Sequence, residues 1–141
     1  MHLTEDQIRL IRQSYRILKP EADELSEKFY NDLFNRMPKL RAFFPQNMSD
    51  QGMRFMAAIG FLVDNMHDEE VLNRQLEHLA TGHAPFKLQP AAYREMQEAL
   101  IDMITTALGA KFTNEVELAW RSAFDQICDA MIEKSGTTLP A

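Results

Sequence analysis

The sequence LNRQLEHLATGHAPFKLQPAAY, residues 72–93, decides the fold. Four of its side chains follow one another at steps of four, three and four residues, the spacing of one helical face: Leu72, Leu76, Leu79 and His83. Pro85 stops this helix, and Pro90 has the fixed backbone angle that suits the first residue of the next helix. The stretch therefore predicts two helices joined by a loop, with His83 at the end of an apolar stripe.

Similar spacing along the rest of the chain predicts further helices with short breaks between them. Thr4 and Gln7 match a capping box at the start of the first helix, and Pro20 ends that helix. Ser49 and Asp50 are predicted to cap the helix that follows a turn at residues 38–45. The other predicted helices cover approximately residues 21–36, 71–82, 90–108 and 113–133.

Composition and charge restrict the class of protein. The chain has 141 residues, 45% hydrophobic and 26% charged, which is ordinary for one soluble domain over residues 1–141 with a frayed tail at 135–141. No apolar run approaches the roughly 20 residues of a membrane span, and no signal peptide is recognisable, so we expect a cytoplasmic protein. A net charge of −6 gives no attraction to nucleic acid. With no alternating β pattern, the predicted class is all-α.

The four histidines differ in the faces they occupy. His2 lies at the terminus, and His67 adjoins a run of acidic residues. His78 shares its face with polar neighbours and is predicted to face solvent. It lies five positions before His83, which on a helix turns the two rings about 140° apart and argues against a shared metal. His83 ends the apolar stripe, where a packed core histidine and a ligand to a bound group are both consistent with the spacing.

A second group of candidates lies nearer the N-terminus. Tyr30 is on the apolar face of its helix, and a buried tyrosine needs a hydrogen-bond partner. Gln51 and Phe55 are one turn apart, and Gly52 between them leaves room for another helix to cross. A solvated glutamine and a core tyrosine would explain the same pattern. Cys128 has the spacing of a small core residue.

Taken together, these residues resemble a bacterial single-domain globin over about residues 5–133. The stretch FYNDLFNRMPKLRAFF (29–44) is similar to the segment that ends in the family's phenylalanine at the haem edge. QGMRF (51–55) resembles the distal segment with the glutamine that bacterial members often use, and LATGHAPFKLQPAAY (79–93) the proximal one. WRSAF (120–124) fits the last helix. The resemblance implies a globin fold of six to seven helices around a haem pocket.

The resemblance also implies a cofactor and a role for each residue. Haem b would be bound noncovalently, since C-x-x-C-H is absent, with His83 as the axial ligand of the iron. Tyr30 and Gln51 would hydrogen-bond a ligand at the opposite position. Arg54 would reach a haem propionate from the rim, and Tyr93 would lie near the proximal histidine. The walls would be formed by Phe44, Phe55, Leu79, Phe86, Leu88 and Met96.

Two positions depart from the family pattern. Phe55 stands where Leu or Val is common, and its larger ring would crowd a ligand or shape its entry. In flavohaemoglobin-like members a glutamate joins a tyrosine behind the proximal histidine. The matching position here is Ser135, and Glu133 lies two residues short of it. The strong proximal charge of those members is therefore not expected.

The resemblance implies reversible binding or transport of O₂ and binding of CO and NO. An enzymatic alternative is NO dioxygenation to nitrate, which would need a separate reductase because the chain has no flavin or nicotinamide module. A sensor fragment and a haem-free interaction module are further alternatives. The sequence does not decide whether the protein is an enzyme.

Overall fold

The computed structural model describes residues 2–135, which form six α-helices joined by short 3₁₀ turns. The helices are α1 (Glu5–Leu18), α2 (Ala22–Arg36), α3 (Ser49–Asp64), α4 (Glu69–His83), α5 (Pro90–Leu108) and α6 (Asn114–Lys134). No β-strand occurs within this part of the chain, so the all-α prediction is confirmed. The predicted frayed tail falls almost wholly on residues 136–141, which lie outside the described residues.

Most helix ends lie where local chemistry places them. The Thr4 side chain accepts from the Gln7 amide while Gln7 reaches back, which confirms the predicted capping box. Pro90 starts α5, and Gly109 ends it with a φ of 54°, a conformation that costs glycine little. None of the helices in residues 2–135 is long and apolar enough to cross a membrane.

Two predicted helix starts are wrong. Ser49 and Asp50 do not cap α3 but are its first residues, and the side chain of Asn47 accepts from the Ser49 amide at 3.0 Å instead. Helix α4 begins at Glu69, before the predicted position, because Asp68 caps it by accepting from the amide of Val71. In both cases the polar side chain that accepts from a free amide precedes the apolar residues that predict the helix.

The helices close around one core in which α1 packs on α6, and α2 on both α3 and α5. Trp120 is almost fully buried, and its ring N–H donates to the Ser14 hydroxyl at 2.8 Å, which satisfies a polar group in the core. Close approach of α2 and α3 depends on Gly52, where an added Cβ would lie 2.6 Å from Ser26 Oγ. The predicted helix crossing at Gly52 is therefore confirmed.

A second close crossing, between α1 and α3, gives a stability prediction. A Cβ on Gly60 would lie 2.7 Å from the hydroxyl of Tyr15, which is buried and bonded to the Met56 carbonyl. We expect Gly60→Ala to lower the free energy of unfolding by about 1–2 kcal/mol, since overpacking outweighs the better helix propensity of alanine. Urea unfolding measures it. In a Tyr15→Phe background, Gly60→Ala should no longer lower the free energy of unfolding. An equal decrease in both backgrounds would contradict the predicted contact with the Tyr15 hydroxyl.

Candidate functional site

A cavity of about 860 Å³ lies between α2, α3, α4, α5 and α6. This volume falls in the range of sites for drug-sized ligands and cofactors. Its walls are mainly apolar, and no aspartate or glutamate of residues 2–135 lines it, although the chain has 21 of them. The polar side chains on the walls are Tyr30, Gln51, Arg54, Gln75, His78 and His83. The cavity therefore suits a large, mostly apolar molecule.

His83 lies at the last residue of α4 with its ring oriented by the helix itself. Its Nδ1 is 2.7 Å from the Leu79 carbonyl, which can only accept, so Nδ1 carries the proton and donates. The ring is half-buried between Phe86 and Tyr93, at centroid distances of 6.1 and 6.3 Å. In this tautomer Nε2 keeps its lone pair. A histidine held in this way has the second-sphere hydrogen bond that is typical of metal ligands.

The apolar stripe on α4 divides between two surfaces. Leu72, Leu76 and Ala80 are buried in the core, whereas Leu79 and His83 are half-buried and line the cavity. His78 is exposed, as predicted, but it also lines the cavity, which the sequence did not indicate. Steps of four and three residues occur on both surfaces, so spacing alone cannot separate core from cavity.

Tyr30 and Gln51 meet on the α2–α3 side of the cavity. The amide Nε2 of Gln51 donates to the Tyr30 hydroxyl at 2.9 Å, and Arg54 donates to Gln51 Oε1 at 3.4 Å. Burial raises the pKa of Tyr30, with Gln51 and the charge of Arg54 opposing the effect, so the phenol stays protonated at neutral pH. Because its oxygen accepts from Gln51, its proton is directed elsewhere, and no acceptor for it occurs in the described part of the chain.

Phe55 belongs to a cluster of rings beside Tyr30. It stacks on Phe29 at 4.2 Å with 12° between the planes, and its centroid is 5.5 Å from that of Tyr30. Phe44 lies 5.5 Å from Tyr30 and 5.9 Å from Phe86. The rings of Phe44 and Phe86 thus connect the Tyr30 side of the cavity to the His83 side.

The structure brings nearly all the predicted site residues to this one cavity. Tyr30, Gln51 and His83 line it, and so do the six predicted wall residues Phe44, Phe55, Leu79, Phe86, Leu88 and Met96. Arg54 is exposed at its edge. Tyr93 is the exception, since it is buried behind His83 and is not a lining residue.

Several lining residues were missed by sequence reasoning. Helix α6 contributes a wall whose members were interpreted only as helical core or left aside: Phe124, Ile127, Cys128 and Met131. Burial raises the pKa of the Cys128 thiol to about 12, so it stays protonated and unreactive. Phe43, Gln75 and Gly82 also line the cavity. Gly82 is a small residue one position before His83, which was the one local signal among these three residues.

The environment of Tyr93 matches the departure noted in the sequence. Its side chain is hydrogen-bonded to Ser135, which opposes the increase in its pKa caused by burial. A serine hydroxyl carries no charge, unlike a carboxylate. The group behind His83 is therefore a neutral Tyr–Ser pair.

Comparison with known proteins identifies the family. The Globin family model matches residues 27–131. The chain is 25% identical to a flavohemoprotein of Vibrio cholerae over 137 residues, covering 95% of this chain and 35% of the relative. It is 26% identical to a flavohemoprotein of Bordetella pertussis, covering 87% and 31% of the two chains. The chain thus spans about a third of the length of these flavohemoproteins. An uncharacterized globin-like protein of Aquifex aeolicus is 26% identical, with 92% of each chain covered.

Solved structures share the same helical arrangement. The hemoglobin of the botfly Gasterophilus intestinalis superposes with a TM-score of 0.83 at 15% identity, covering 96% of this chain and 100% of that one. A hexacoordinated heme protein from an anhydrobiotic tardigrade gives 0.84 at 13% identity, with 94% of each chain covered. These likenesses concern the fold. The family model, which matches most of the chain, shows that this protein belongs to the globin family, and this membership implies a haem cofactor and small gaseous ligands such as O₂.

Proposed function

We propose that this globin binds haem b noncovalently in the cavity, with His83 as the axial ligand, and reversibly binds O₂ and other diatomic gases. The observation that carries the proposal is the hydrogen bond from His83 Nδ1 to the Leu79 carbonyl. It leaves Nε2 as a lone-pair donor in an apolar cavity that also holds the Tyr30–Gln51 pair.

The lining residues fit haem in shape and in charge. Haem is a flat apolar macrocycle with two carboxylates, and this cavity has apolar walls and no acidic lining residue in the described ranges. The exposed side chains at its edge include Arg54 and His78. A carboxylate placed there meets a cation and keeps contact with water, which lowers the cost of its desolvation.

Each side chain then has a definite task when the cofactor is bound. Haem iron supplies a coordination position for a small gas. Tyr30 donates its remaining proton to a polar ligand there, and Gln51 holds the phenol in place by donating to its oxygen. The apolar walls exclude water, which slows oxidation of ferrous iron. Behind His83, Tyr93 is paired with the neutral hydroxyl of Ser135.

NO dioxygenation is a second candidate, favoured by similarity to proteins named flavohemoprotein and by the Tyr30–Gln51 pair. The balanced reaction is NO + O₂ + one electron → NO₃⁻, so each turnover needs an electron from outside the globin domain. A separate reductase would supply it. A cytoplasmic location and a single domain over residues 1–141 remain predictions.

One set of measurements tests both candidates. The purified chain is titrated with haemin, and spectra are recorded for the ferric, ferrous, CO-bound and oxygenated forms. An intense Soret band that shifts with CO is expected. The oxygenated form is then mixed with NO and nitrate is quantified, which separates simple ligand binding from dioxygenation. A spectrum that remains that of free haemin after the chain is added would contradict both and indicate a haem-free interaction module.

Phe55 gives a prediction about ligand entry. Its ring stacks on Phe29 and adjoins Tyr30, so it fills volume beside the ligand position. We expect Phe55→Leu to raise the CO association rate severalfold and to speed autoxidation, because the smaller side chain admits both CO and water. Flash photolysis measures the first effect. Phe112→Leu, a matched change outside the cavity lining, should change neither. A rate in Phe55→Leu that is unchanged or lower would place the ring away from the ligand path.

Arg54 gives a prediction about the cofactor's carboxylates. We expect Arg54→Leu to speed haemin loss about threefold to fivefold, a modest effect because the side chain is exposed. Transfer of haemin to an apoglobin acceptor measures the rate. Haemin dimethyl ester, which has no carboxylates, should dissociate equally from wild type and variant. Arg74→Leu on α4 serves as the surface control. If haemin dimethyl ester dissociates faster from Arg54→Leu than from wild type, the ion-pair explanation is contradicted.

A further inference from the structure

Two segments of this chain that contain no acidic residue meet in the fold. The chain has 21 acidic and 15 basic residues, yet no aspartate or glutamate occurs in residues 33–49 or 78–94. These two segments meet in the folded chain, where the Phe43 and Phe86 rings lie 5.0 Å apart. An acid-free region in a chain of net charge −6 is a local inversion of the overall charge.

Three cations of this region are not neutralised by carboxylates. Lys39 and Lys87 are exposed and make no ion pair within residues 2–135. The guanidinium of Arg41 donates to three backbone carbonyls, those of Phe44, Pro45 and Gln46, and lies over the ring of Phe34. By contrast, Arg36 and Arg94, in the same two segments, are bound to carboxylates of neighbouring helices.

An exposed aromatic ring lies among these cations. Phe43 has 53% of its surface exposed, although it also lines the cavity. Its ring contacts Phe86, whose centroid is 6.1 Å from that of His83. One intervening ring therefore separates the proposed iron ligand from the surface. We name Lys39, Arg41, Phe43 and Lys87 the Phe43 patch.

We propose that the Phe43 patch is the docking surface for an acidic redox protein that reduces the haem iron. The proposal rests on the proposed function. One electron leaves the partner's reduced iron–sulfur or flavin centre and converts ferric iron held by His83 to ferrous iron, and no bond forms or breaks. Aromatic residues and arginine are enriched at protein interfaces, and Phe43 is exposed with Arg41 two residues before it in the chain.

Charge identifies the kind of partner. A positive patch on a chain of negative net charge attracts an acidic protein. It also orients the encounter so that the patch faces that protein. A second copy of the chain in a symmetric dimer would bring the same patch against itself and place like charges opposite one another. The patch therefore favours a different, acidic partner over self-association.

A charge-reversal pair with a matched control tests the docking surface. The ferric holoprotein is mixed under CO with a reduced plant-type ferredoxin, an acidic one-electron donor, and formation of the ferrous CO form is followed by stopped flow. We expect Lys39→Glu/Lys87→Glu to lower the second-order rate constant at least about tenfold at low ionic strength. The difference in rate constant between the variant and wild type should disappear near 1 M salt, where the Debye length is about 3 Å.

The control is Lys19→Glu/Lys111→Glu, which changes the net charge equally at two exposed lysines outside the patch. Its rate constant should fall less than threefold. Equal losses in the two double variants, or a deficit that persists in high salt, would overturn the proposal. So would a patch variant that changes only the sedimentation of the globin, since the patch would then bind a second copy.

Failure of the proposed function is distinguishable from failure of the docking surface. If the chain takes up no haem, the proposed function fails, and calorimetry at low salt with oxidised ferredoxin and the haem-free chain still measures docking. Binding that the patch variant loses and the control variant keeps would support the surface. No binding to wild type in either form would overturn it.

Discussion

His83→Ala is expected to abolish stable haem binding. The variant loses the lone pair at Nε2 that the bond to the Leu79 carbonyl keeps available, and His78, the other histidine that lines the cavity among residues 2–135, is exposed. Apolar contact alone then holds the macrocycle, so we expect haemin loss to accelerate by two orders of magnitude or more. Absorption spectra of the ferrous and CO forms and transfer to an apoglobin measure the result.

Two controls make this expectation specific. Imidazole added to His83→Ala should restore the CO-form spectrum, because it refills the space that the side chain left. His78→Ala should keep the wild-type ligation bands, since His78 lies exposed at the cavity edge. If haem binding is lost in His78→Ala and retained in His83→Ala, the assignment of the axial ligand is wrong.

Tyr30→Phe is expected to speed O₂ dissociation about tenfold or more. The Tyr30 hydroxyl accepts from Gln51 and keeps one proton that has no acceptor within residues 2–135, so in the proposed function this proton is available to a polar ligand. A hydrogen bond that contributes about 1–1.5 kcal/mol changes a rate by roughly tenfold. Stopped-flow displacement of O₂ by CO measures it, and equal rates in wild type and variant would show that Tyr30 does not face the ligand.

Gln51 should have a smaller effect, because its amide contacts Tyr30. Gln51→Ala releases the phenol but leaves its proton, so we expect O₂ dissociation to increase less than in Tyr30→Phe. In the Tyr30→Phe background the further effect of Gln51→Ala should nearly vanish. Independent, additive effects would mean that the glutamine contacts the ligand directly.

Local signals explain why most of the fold could be predicted from the sequence. Thr4 with Gln7, Pro90 and Gly109 each fix a helix end through groups within a few residues, and the structure has those ends where predicted. The starts of α3 and α4 were missed because Asn47 and Asp68 precede the apolar pattern. A hydrogen bond from one side chain to a free amide leaves little trace in periodicity.

The candidate site was predictable as a set of residues but not as an arrangement. Resemblance placed His83, Tyr30 and Gln51 together, yet the direction of the Gln51–Tyr30 hydrogen bond depends on how α2 and α3 cross. The stacking of Phe55 on Phe29 depends on the same crossing. The position of His78 at the cavity could not be predicted for the same reason. The neighbouring helices decide whether a polar helical face contacts only solvent or also the edge of a cavity.

The bond between Trp120 and Ser14 joins residues 106 positions apart in the chain. Helix α1 also packs on α3 and α5, but its contact with α6 cannot form until α6 has been synthesised, and loop-closure entropy delays that contact further. The same helix α6 supplies one wall of the cavity. During translation the ribosome must release nearly all the described chain before the pocket has its full set of walls, so capture of the cofactor is a late event in the biosynthesis of this protein.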